Sequence, residues 1–381
     1  MDRRSLLQLL AGGAAASLLF DKSLAQAAAG GSIVAPIALR AQRVVLSCNF
    51  AGKGPHDFAL DTGAIISLIR GDFARSMGFA GRGKVNLGVG GQRGQYDIVE
   101  ARDVVIGGAI RQPSLQFAIT DEVNFGAGIV GSLGAGILTA IDSELDFGAG
   151  QWRLHPAGLP PREGWTRHDR AIRLISPIGG SSYLFATVDI GDTALRCALD
   201  TGSPTPIRLF AEGVKAVGLQ DWRARNWSPG TRRGKAMLPI VRLAKPLAIG
   251  AMKMERPLVT LDMETHDSLF GSALVGLPLI RRLDLATQVK DAVLWTRPNG
   301  GAYSEPSYNM SGIWVDREGS KLSIGAVGKG SPAEKAGLKV GDVIGGPPFQ
   351  PLIAALNGPA GSSATFAVEG RTVTLTLEDY L

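Results

Sequence analysis

The chain has 381 residues, of which 45% are hydrophobic, 6% aromatic and 19% charged. This composition is typical of a globular protein of about two or three domains and excludes a disordered chain, a collagen and a coiled coil. The 51 glycines are about twice the usual share of roughly 7%, which favours tight turns and short strands, and we therefore expect a mostly β fold.

The net charge of +6 comes from 40 Lys and Arg against 34 Asp and Glu, an excess too small for this length to indicate a nucleic-acid partner. The densest basic stretch, residues 222–235, is interpreted as a solvated loop in preference to a surface that stacks on bases or touches anionic lipid. Cys48 and Cys197 are too few for a four-cysteine zinc site, and buried free thiols are favoured over a disulfide. The histidines lie far apart in sequence, so we expect no metal and no cofactor.

Residues 1–27 have the features of an export signal. Arg3 and Arg4 precede an apolar run over residues 6–20, and Ala-Gln-Ala follows at 25–27. The paired arginines resemble a twin-arginine signal, from which we expect an exported, periplasmic protein that begins near Ala28. The alternative is an uncleaved N-terminal membrane anchor, although a run of about 15 residues is short for a spanning helix.

An internal repeat organises the middle of the chain. Residues 43–50 and 183–190 both predict a strand, and each is followed by a turn, a second strand and the same pentapeptide, Ala-Leu-Asp-Thr-Gly. The aspartates of the two copies, Asp61 and Asp200, are 139 residues apart. The repeat predicts two lobes, residues 28–155 and 172–297, related by a pseudo-twofold duplication and joined by a linker over 156–171.

Elements downstream of each pentapeptide extend the repeat. We match Ile129-Val130-Gly131 of the first copy with Leu274-Val275-Gly276 of the second, and each precedes a predicted short helix and strand. Residues 85–96 predict a hairpin with glycines at its tip, Gly88, Gly90 and Gly91, and its counterpart around 228–238 is more basic.

The Ile129-Val130-Gly131 segment lies inside a glycine-rich motif. Residues 126–131 match G-x-G-x-x-G, but the second copy lacks the pattern and the context is β-rich, so we do not expect dinucleotide binding.

Two aspartates on matching turns can meet at a pseudo-twofold axis. Two carboxyl groups in contact share one proton, which leaves one carboxylate as a base for water and one acid for a carbonyl oxygen. Ser203 can offer its hydroxyl to Asp200 whereas Ala64 offers none to Asp61, so we expect Asp200 to carry more of the negative charge. The alternative is that Asp-Thr-Gly only forms a good turn.

At these residues the chain resembles the retropepsin-like and pepsin-like aspartic proteases over residues 40–297. The resemblance implies two closed β-barrel lobes, a polypeptide substrate and a flap that carries the glycines of the 85–96 hairpin. It also implies the site residues, which are catalytic Asp61 and Asp200, supported by Thr62, Gly63, Thr201, Gly202 and Ser203. The second copy departs from the family pattern with Pro204 and with Pro206, which stands where the first copy has Ser67.

The last part of the chain reads as a separate small α+β domain. Residues 298–308 form a linker rich in Pro, Gly, Ser and Asn, and residues 309–381 contain a predicted helix capped by Ser331 and stopped at Gly337. This segment resembles a PDZ domain of the kind found in bacterial proteases.

That resemblance implies a binding loop for a peptide C-terminus. The backbone amides of Gly312, Ile313 and Trp314 would hold the terminal carboxylate while the peptide adds as a strand. The alternative is a domain that only packs on the lobes.

The sequence supports one functional hypothesis and one rival. The hypothesis is an exported aspartic endopeptidase with a PDZ-like domain that recruits substrate or regulates, acting on polypeptide, with no nucleic-acid partner and with membrane contact only through an uncleaved N-terminus. The rival is a catalytically inactive peptide-binding scaffold on the same fold.

Overall fold

The computed structural model describes residues 31–89, 92–174, 182–233, 236–264 and 268–381. The predicted signal at 1–27 and the flap glycines Gly90 and Gly91 lie outside these ranges. The described chain is mostly β, as expected, with four sheets and six short helices. No helix in the described residues is both long enough and apolar enough to span a bilayer.

The first lobe contains eleven strands and two helices. Its strands are β1 (Ile33–Pro36), β2 (Ala38–Arg40), β3 (Arg43–Phe50), β4 (Lys53–Asp61), β5 (Ser67–Ile69), β6 (Ala80–Val89), β7 (Gln92–Ile106), β8 (Ile110–Ile119), β9 (Ile129–Gly134), β10 (Ser143–Asp146) and β11 (Gln151–Leu154). Its helices are α1 (Gly71–Met77) and α2 (Gly136–Thr139).

The second lobe has a similar order of elements with two more strands. Its strands are β12 (Thr166–His168), β13 (Ile172–Leu174), β14 (Ser182–Ile190), β15 (Thr193–Asp200), β16 (Ile207–Phe210), β17 (Ser228–Arg233), β18 (Ala236–Arg242), β19 (Leu247–Ile249), β20 (Met252–Met254), β21 (Leu258–Asp262), β22 (Ala273–Gly276), β23 (Leu283–Gln288) and β24 (Val293–Pro298). Its helices are α3 (Ala211–Ala216) and α4 (Leu277–Ile280), with single 3-10 turns at Trp222–Ala224 and Ser268–Phe270.

The C-terminal domain is smaller. Its strands are β25 (Ile313–Glu318), β26 (Lys321–Val327), β27 (Val343–Gly345), β28 (Ser363–Val368) and β29 (Arg371–Thr376), and its helices are α5 (Pro332–Lys335) and α6 (Phe349–Leu356). The Ser331 hydroxyl caps α5 by accepting from the Glu334 amide. Gly337 follows the helix with a φ of 74°, a left-handed backbone conformation that glycine adopts without strain.

A closed six-stranded barrel forms the first lobe. The strands follow one another in the order β3, β4, β9, β5, β8 and β7, and β7 pairs again with β3 to close the ring. β7 is long enough to do so because it runs for 15 residues, with one part in the hairpin with β6 and the other in the barrel. Phe50, Phe58 and Phe117 fill the interior and are almost fully buried.

The sheet of the second lobe has its strands in the matching order, β14, β15, β22, β16, β21, β18 and β17. The ladders β4–β9 and β15–β22 are both parallel, as are β5–β8 and β16–β21. The described pairings do not close this sheet into a second ring, because β19 pairs with β14 where β7 pairs with β3, but β19 is separate from β18. The break between β18 and β19 contains Pro246, which has no amide hydrogen to donate to a ladder.

The register of the repeat differs from the sequence prediction. Asp200 lies opposite Gly276 in the β15–β22 ladder, and Asp61 lies opposite Gly134, not Gly131, in the β4–β9 ladder. The match of Gly131 with Gly276 is therefore wrong by three residues. A Cβ on Gly134 would lie 2.9 Å from the Ala64 carbonyl oxygen, so the strand position beside the aspartate loop also requires glycine.

A sheet built from both lobes joins them. Its strand order is β1, β11, β10, β23, β24 and β12, so the two lobes pair along β10 and β23, the next-to-last strand of each. The Ser143 and Thr287 hydroxyls meet at 3.0 Å in this seam, and Trp152 is buried against it. One continuous apolar core runs through both lobes, and it contains Cys48 and Cys197 as buried free thiols.

Candidate active site

Asp61 and Asp200 are the last residues of β4 and β15, and the loops that follow them meet between the lobes. Each strand ends in buried apolar residues, so the Asp-Thr-Gly turn emerges directly from the core. Both carboxyl groups are recessed but keep part of their surface in solvent.

Reciprocal hydrogen bonds between two threonines lock the loops together. The Thr62 hydroxyl donates to the Leu199 carbonyl at 2.8 Å and accepts from the Thr201 amide at 3.0 Å. The Thr201 hydroxyl donates to the Leu60 carbonyl at 2.7 Å and accepts from the Thr62 amide at 3.1 Å. Both threonines are almost fully buried, at 1% and 0% exposure. The four bonds fix each aspartate relative to the other lobe.

Glycine is required after each threonine because the opposite carboxyl group is in contact. A Cβ on Gly63 would lie 2.4 Å from the Asp200 Cγ, and a Cβ on Gly202 would lie 2.5 Å from the Asp61 Oδ1. Such distances are far inside van der Waals contact. The two glycines therefore allow the carboxyl groups to approach each other.

The environment divides one proton between the two acids. The Gly63 amide donates to Asp61 Oδ1 at 3.1 Å, and the Gly202 amide donates to Asp200 Oδ1 at 2.8 Å. Burial raises the pKa of both groups, and the negative charge of Asp61 adds to the effect at Asp200, whose pKa rises to about 8. The hydrogen bond between the carboxyl groups lowers the pKa of Asp61 and raises that of Asp200, so the two acids share one proton.

Arg43, which the sequence analysis did not single out, contributes to this asymmetry. It begins β3 in the first lobe, is half-buried, and donates from Nη1 to the Gly202 carbonyl of the second lobe. Its positive charge lowers the pKa of Asp61. Arg208 also lowers the pKa of Asp200, but its effect is smaller than those of burial, the Asp61 charge and the hydrogen bonds. The only signal in the sequence was an arginine that opens the strand before the first aspartate.

The predicted role of Ser203 is wrong. Its hydroxyl lies 3.3 Å from the Thr205 amide and 3.5 Å from the Thr205 carbonyl, so it closes a local turn and does not donate to Asp200. The hydrogen bond on which the predicted charge asymmetry depended is therefore not formed.

The proline that replaces Ser67 in the second copy preserves the local bonding. In the first lobe the Ser67 hydroxyl accepts from the Gly134 amide at 3.1 Å. In the second lobe the Pro206 carbonyl accepts from the Gly276 amide at 2.9 Å. A backbone oxygen thus replaces a side-chain oxygen, and the Asp200 loop is supported like the Asp61 loop.

A small apolar patch adjoins the aspartates. Tyr183 packs on Phe270 at 5.0 Å between ring centroids, and Ile65 of the first lobe packs against the same cluster. Burial raises the pKa of Tyr183 to about 12, and the charges of Asp200 and Asp61 add to this rise. The patch offers an apolar surface beside the carboxyl groups, and the sequence analysis had interpreted Tyr183 only as a strand residue.

The flap hairpin is formed by β6 and β7, where Gly88 pairs with Arg93. Since Gly90 and Gly91 lie outside the described residues, the role of the tip stays a prediction. The glycine pattern at 126–131 leads into strand β9 and not into a helix, so it lacks the geometry of a dinucleotide loop. Within the described ranges, no group of three or more His, Cys, Asp or Glu is arranged to bind a metal ion.

The predicted carboxylate loop of the C-terminal domain already has acceptors for its amides. The Gly312 amide donates to Asn309 Oδ1 at 3.1 Å, and the Ile313 amide donates to the Ser311 hydroxyl at 3.2 Å. A peptide carboxylate would have to displace both side chains. Trp314 follows in β25, with its indole nitrogen donating to Asp316 at 3.0 Å.

Comparison with known proteins finds a family match within the first lobe. A family model described as aspartyl protease matches residues 46–138, which include Asp61. No curated protein matches the chain. Among solved structures, the chain is similar to the crystal structure of edgp, with 10% identity and a TM-score of 0.41 over 70% of this chain and 94% of that chain. Residues 46–138 thus match an aspartyl protease domain, which suggests a peptidase.

Proposed function

We propose that this protein is an aspartic endopeptidase whose two lobes are copies of a retropepsin-like unit. The observation that carries the proposal is the pair of carboxyl groups, Asp61 and Asp200, in hydrogen-bond contact between loops that the Thr62 and Thr201 bonds hold together. The matching strand order of the lobes and the aspartyl protease match over the first lobe support it.

The chemistry is direct attack of water on a peptide bond. The Asp61 carboxylate accepts a proton from water as its oxygen attacks the carbonyl carbon, and Asp200 donates its proton to the carbonyl oxygen, which gives a tetrahedral diol. Asp61 then passes its proton to the amide nitrogen, the C–N bond breaks, and the proton of one diol hydroxyl returns to Asp200. The dyad ends as it began, and no covalent intermediate forms.

Two further features belong to this proposal. Residues 1–27 direct export. Mass spectrometry of the exported protein should find a mature N-terminus near Ala28, and a full-length cytoplasmic product would contradict this proposal.

Residues 309–381 form a PDZ-like domain that binds polypeptide. An edge strand, β25, beside helix α6 supports this part of the proposal.

Digestion of a peptide library tests the activity. The protein without residues 1–27 should cut internal bonds between pH 4 and 7, with apolar side chains preferred beside the scissile bond because Tyr183, Phe270 and Ile65 offer an apolar patch there. Mass spectrometry of the products identifies the bonds. If no peptide is cut at any pH in this range, the inactive scaffold is the better description.

The pH dependence of kcat/KM should be bell-shaped. Activity should fall as pH rises through about 8, because the raised pKa of Asp200 keeps its catalytic proton up to that pH and loses it above. Activity should also fall in acid, where Asp61 becomes protonated and the base is lost. The two carboxyl groups titrate together, so both limbs belong to the pair.

Arg43→Gln should move the whole bell to higher pH. The positive charge favours every ionised form of the dyad, so its loss makes both ionisation steps harder, and kcat/KM at the acidic end should fall by about five- to tenfold. Arg43→Lys keeps the charge and should keep the profile near its original position. Arg40→Gln is the matched control, since this exposed arginine pairs with Asp57 and not with the dyad. A bell that loses height without moving would show that Arg43 is only structural.

A further inference from the structure

One face of the second-lobe sheet leads from the dyad to an arginine. Because side chains alternate along a strand, Asp200, Ala198 and Arg196 of β15 lie on the same face. β14 runs antiparallel to β15 and places Phe185 opposite Ala198, and Thr187 opposite Arg196. Residues that are opposite each other in a ladder share a face, so Phe185 lies between Arg196 and the end of the sheet that carries the aspartate.

The Arg196 side chain reaches over Phe185 in the direction of the dyad. The central carbon of its guanidinium lies 3.5 Å from the centre of the Phe185 ring. Phe185 is opposite Ala198, which is two residues from Asp200, a distance of about 7 Å along a strand. The positive charge therefore covers a residue close to the catalytic end of β15.

The apolar patch beside the aspartates connects this charge to the cleft. Phe185 packs with Tyr183 and Ala198 in a cluster that also includes Ile65, which is four residues from Asp61 on the first-lobe loop. Besides burial, the charges of both aspartates raise the pKa of Tyr183, as expected for a phenol beside the dyad. Contacts between described side chains thus extend from the dyad loops to Arg196.

Arg196 forms no ion pair with a carboxylate of the described residues. Its Nη2 donates to the Arg170 carbonyl at 3.0 Å, which uses one of the five donors of a guanidinium. Partial burial lowers the pKa of Arg196, and the nearby charges of Arg173 and Arg170 lower it further. A half-buried cation with two like charges beside it is therefore placed to bind an anion that another molecule supplies.

The corresponding position of the first lobe has a different charge and is already paired. Asp57 is four residues before Asp61, as Arg196 is four residues before Asp200. The Asp57 carboxylate pairs with Arg40 at 2.6 Å. Of these two equivalent positions, the second lobe alone offers a charge for recognition.

We propose that Arg196 is a specificity-determining residue that selects a carboxylate side chain, Asp or Glu, two residues from the apolar side chain that the substrate places on the patch. Side chains two residues apart in an extended chain point to the same side about 7 Å from each other, which matches the step from Asp200 to the Ala198 and Phe185 pair. The inference rests on the proposed endopeptidase function and gives it a substrate class, which is polypeptide with an acidic and an apolar residue in this spacing.

Binding of three fluorescein-labelled peptides tests this inference without relying on cleavage. The peptides are identical except for Glu, Gln or Lys, placed on both sides two residues from a central apolar pair. Fluorescence anisotropy is measured on the full Asp61→Asn chain, in which we expect the peptides to stay intact. The Glu peptide should bind about fivefold more tightly than the Gln peptide, and the Lys peptide most weakly. High salt should reduce these differences.

Changes at Arg196, made in the same Asp61→Asn chain, should redirect the preference. Arg196→Gln should make the Kd values of the Glu and Gln peptides equal, Arg196→Lys should keep part of the preference, and Arg196→Glu should favour the Lys peptide. Each comparison is a ratio within one variant, so a loss of folded protein affects the three peptides alike.

Lys253→Gln is the matched control. It also removes one positive charge from the second lobe, but from an exposed position of β20. β20 pairs with β19, which pairs with β14 at Asp189 and Ile190, the end of β14 that is remote from the dyad. This variant should keep the preference for the Glu peptide.

The outcomes separate this inference from the proposed function. Equal Kd values for the three peptides, failure of all three to bind, or a Glu preference that survives in Arg196→Gln would overturn the role of Arg196 even if the wild type cuts the library. A Glu preference that Arg196→Gln removes and Arg196→Glu reverses would support it even if no bond is cut, in which case only the endopeptidase proposal fails.

Discussion

Asp61→Asn and Asp200→Asn should each abolish peptide hydrolysis while the protein stays folded. Each change leaves one carboxyl group, which cannot act as base for water and as acid for the carbonyl oxygen in the same step. General acid–base catalysis contributes about 10²- to 10⁴-fold per group, so kcat/KM should fall by at least about a thousandfold in either variant. The measurement is the initial rate on a peptide selected from the library digest.

Stability provides the internal check on these variants. Burial raises the pKa of both aspartates, which means that the folded protein holds charge in an unfavourable place. Replacing one carboxyl group by a neutral amide of the same shape relieves that cost, so thermal unfolding should occur at an equal or higher temperature.

The matched control is Asp57→Asn, on the same strand but paired with Arg40 at the surface, and it should retain activity. Full activity in Asp61→Asn would end the proposed mechanism. Activity in Asp200→Asn alone would indicate that the first lobe works as a homodimer.

The parts of the fold that the sequence predicted are those governed by local pattern. The hairpins before both aspartates, the two short helices at 136 and 277, and the cap of α5 at Ser331 depend on alternation, glycine and capping within a few residues. The identical Ala-Leu-Asp-Thr-Gly segments placed both acids correctly at strand ends, because each pentapeptide contains the strand end and the turn together.

The errors came from interactions that the local sequence pattern does not encode. The repeat was matched at Gly131 although Gly134 lies opposite Asp61, because both glycines follow apolar residues and only the β4–β9 ladder distinguishes them. Ser203 was assigned to Asp200 from proximity along the chain, but its hydroxyl bonds Thr205. Arg43 was missed because its partner, Gly202, is 159 residues away in the other lobe.

The C-terminal domain illustrates the same limit. Its sequence pattern predicted a helix and a small sheet, but the pattern that suggested a carboxylate loop contains no information about Asn309, whose side chain occupies the Gly312 amide. Nor does the pattern show that Trp314 faces a groove shared with Pro204 of the second lobe. A side-chain bond within the domain decides the first point, and contact with the second lobe decides the second.

Thr62→Val and Thr201→Val should be the most destabilising of the conservative changes at this site. Each replaces a hydroxyl that donates to one buried carbonyl and accepts from one buried amide, and valine has nearly the same shape without the oxygen. An unsatisfied buried polar group costs about 1 to 3 kcal/mol. Each variant leaves two such groups, so the free energy of unfolding should fall by about 2 to 6 kcal/mol, measured by urea denaturation.

These bonds cross between lobes, so the loss should also appear in catalysis. With either threonine bond removed, the loops that carry Asp61 and Asp200 are no longer held at a fixed separation, and kcat should fall more than KM changes. Thr62→Ser retains the hydroxyl and should recover most of the stability and rate. Thr120→Val is the control within one lobe, since the hydroxyl of this buried threonine accepts from the Glu122 amide of the same lobe at 3.3 Å. If Thr120→Val and Thr62→Val lower kcat equally, general loosening of the first lobe explains the result and the cross-lobe bonds do not position the dyad.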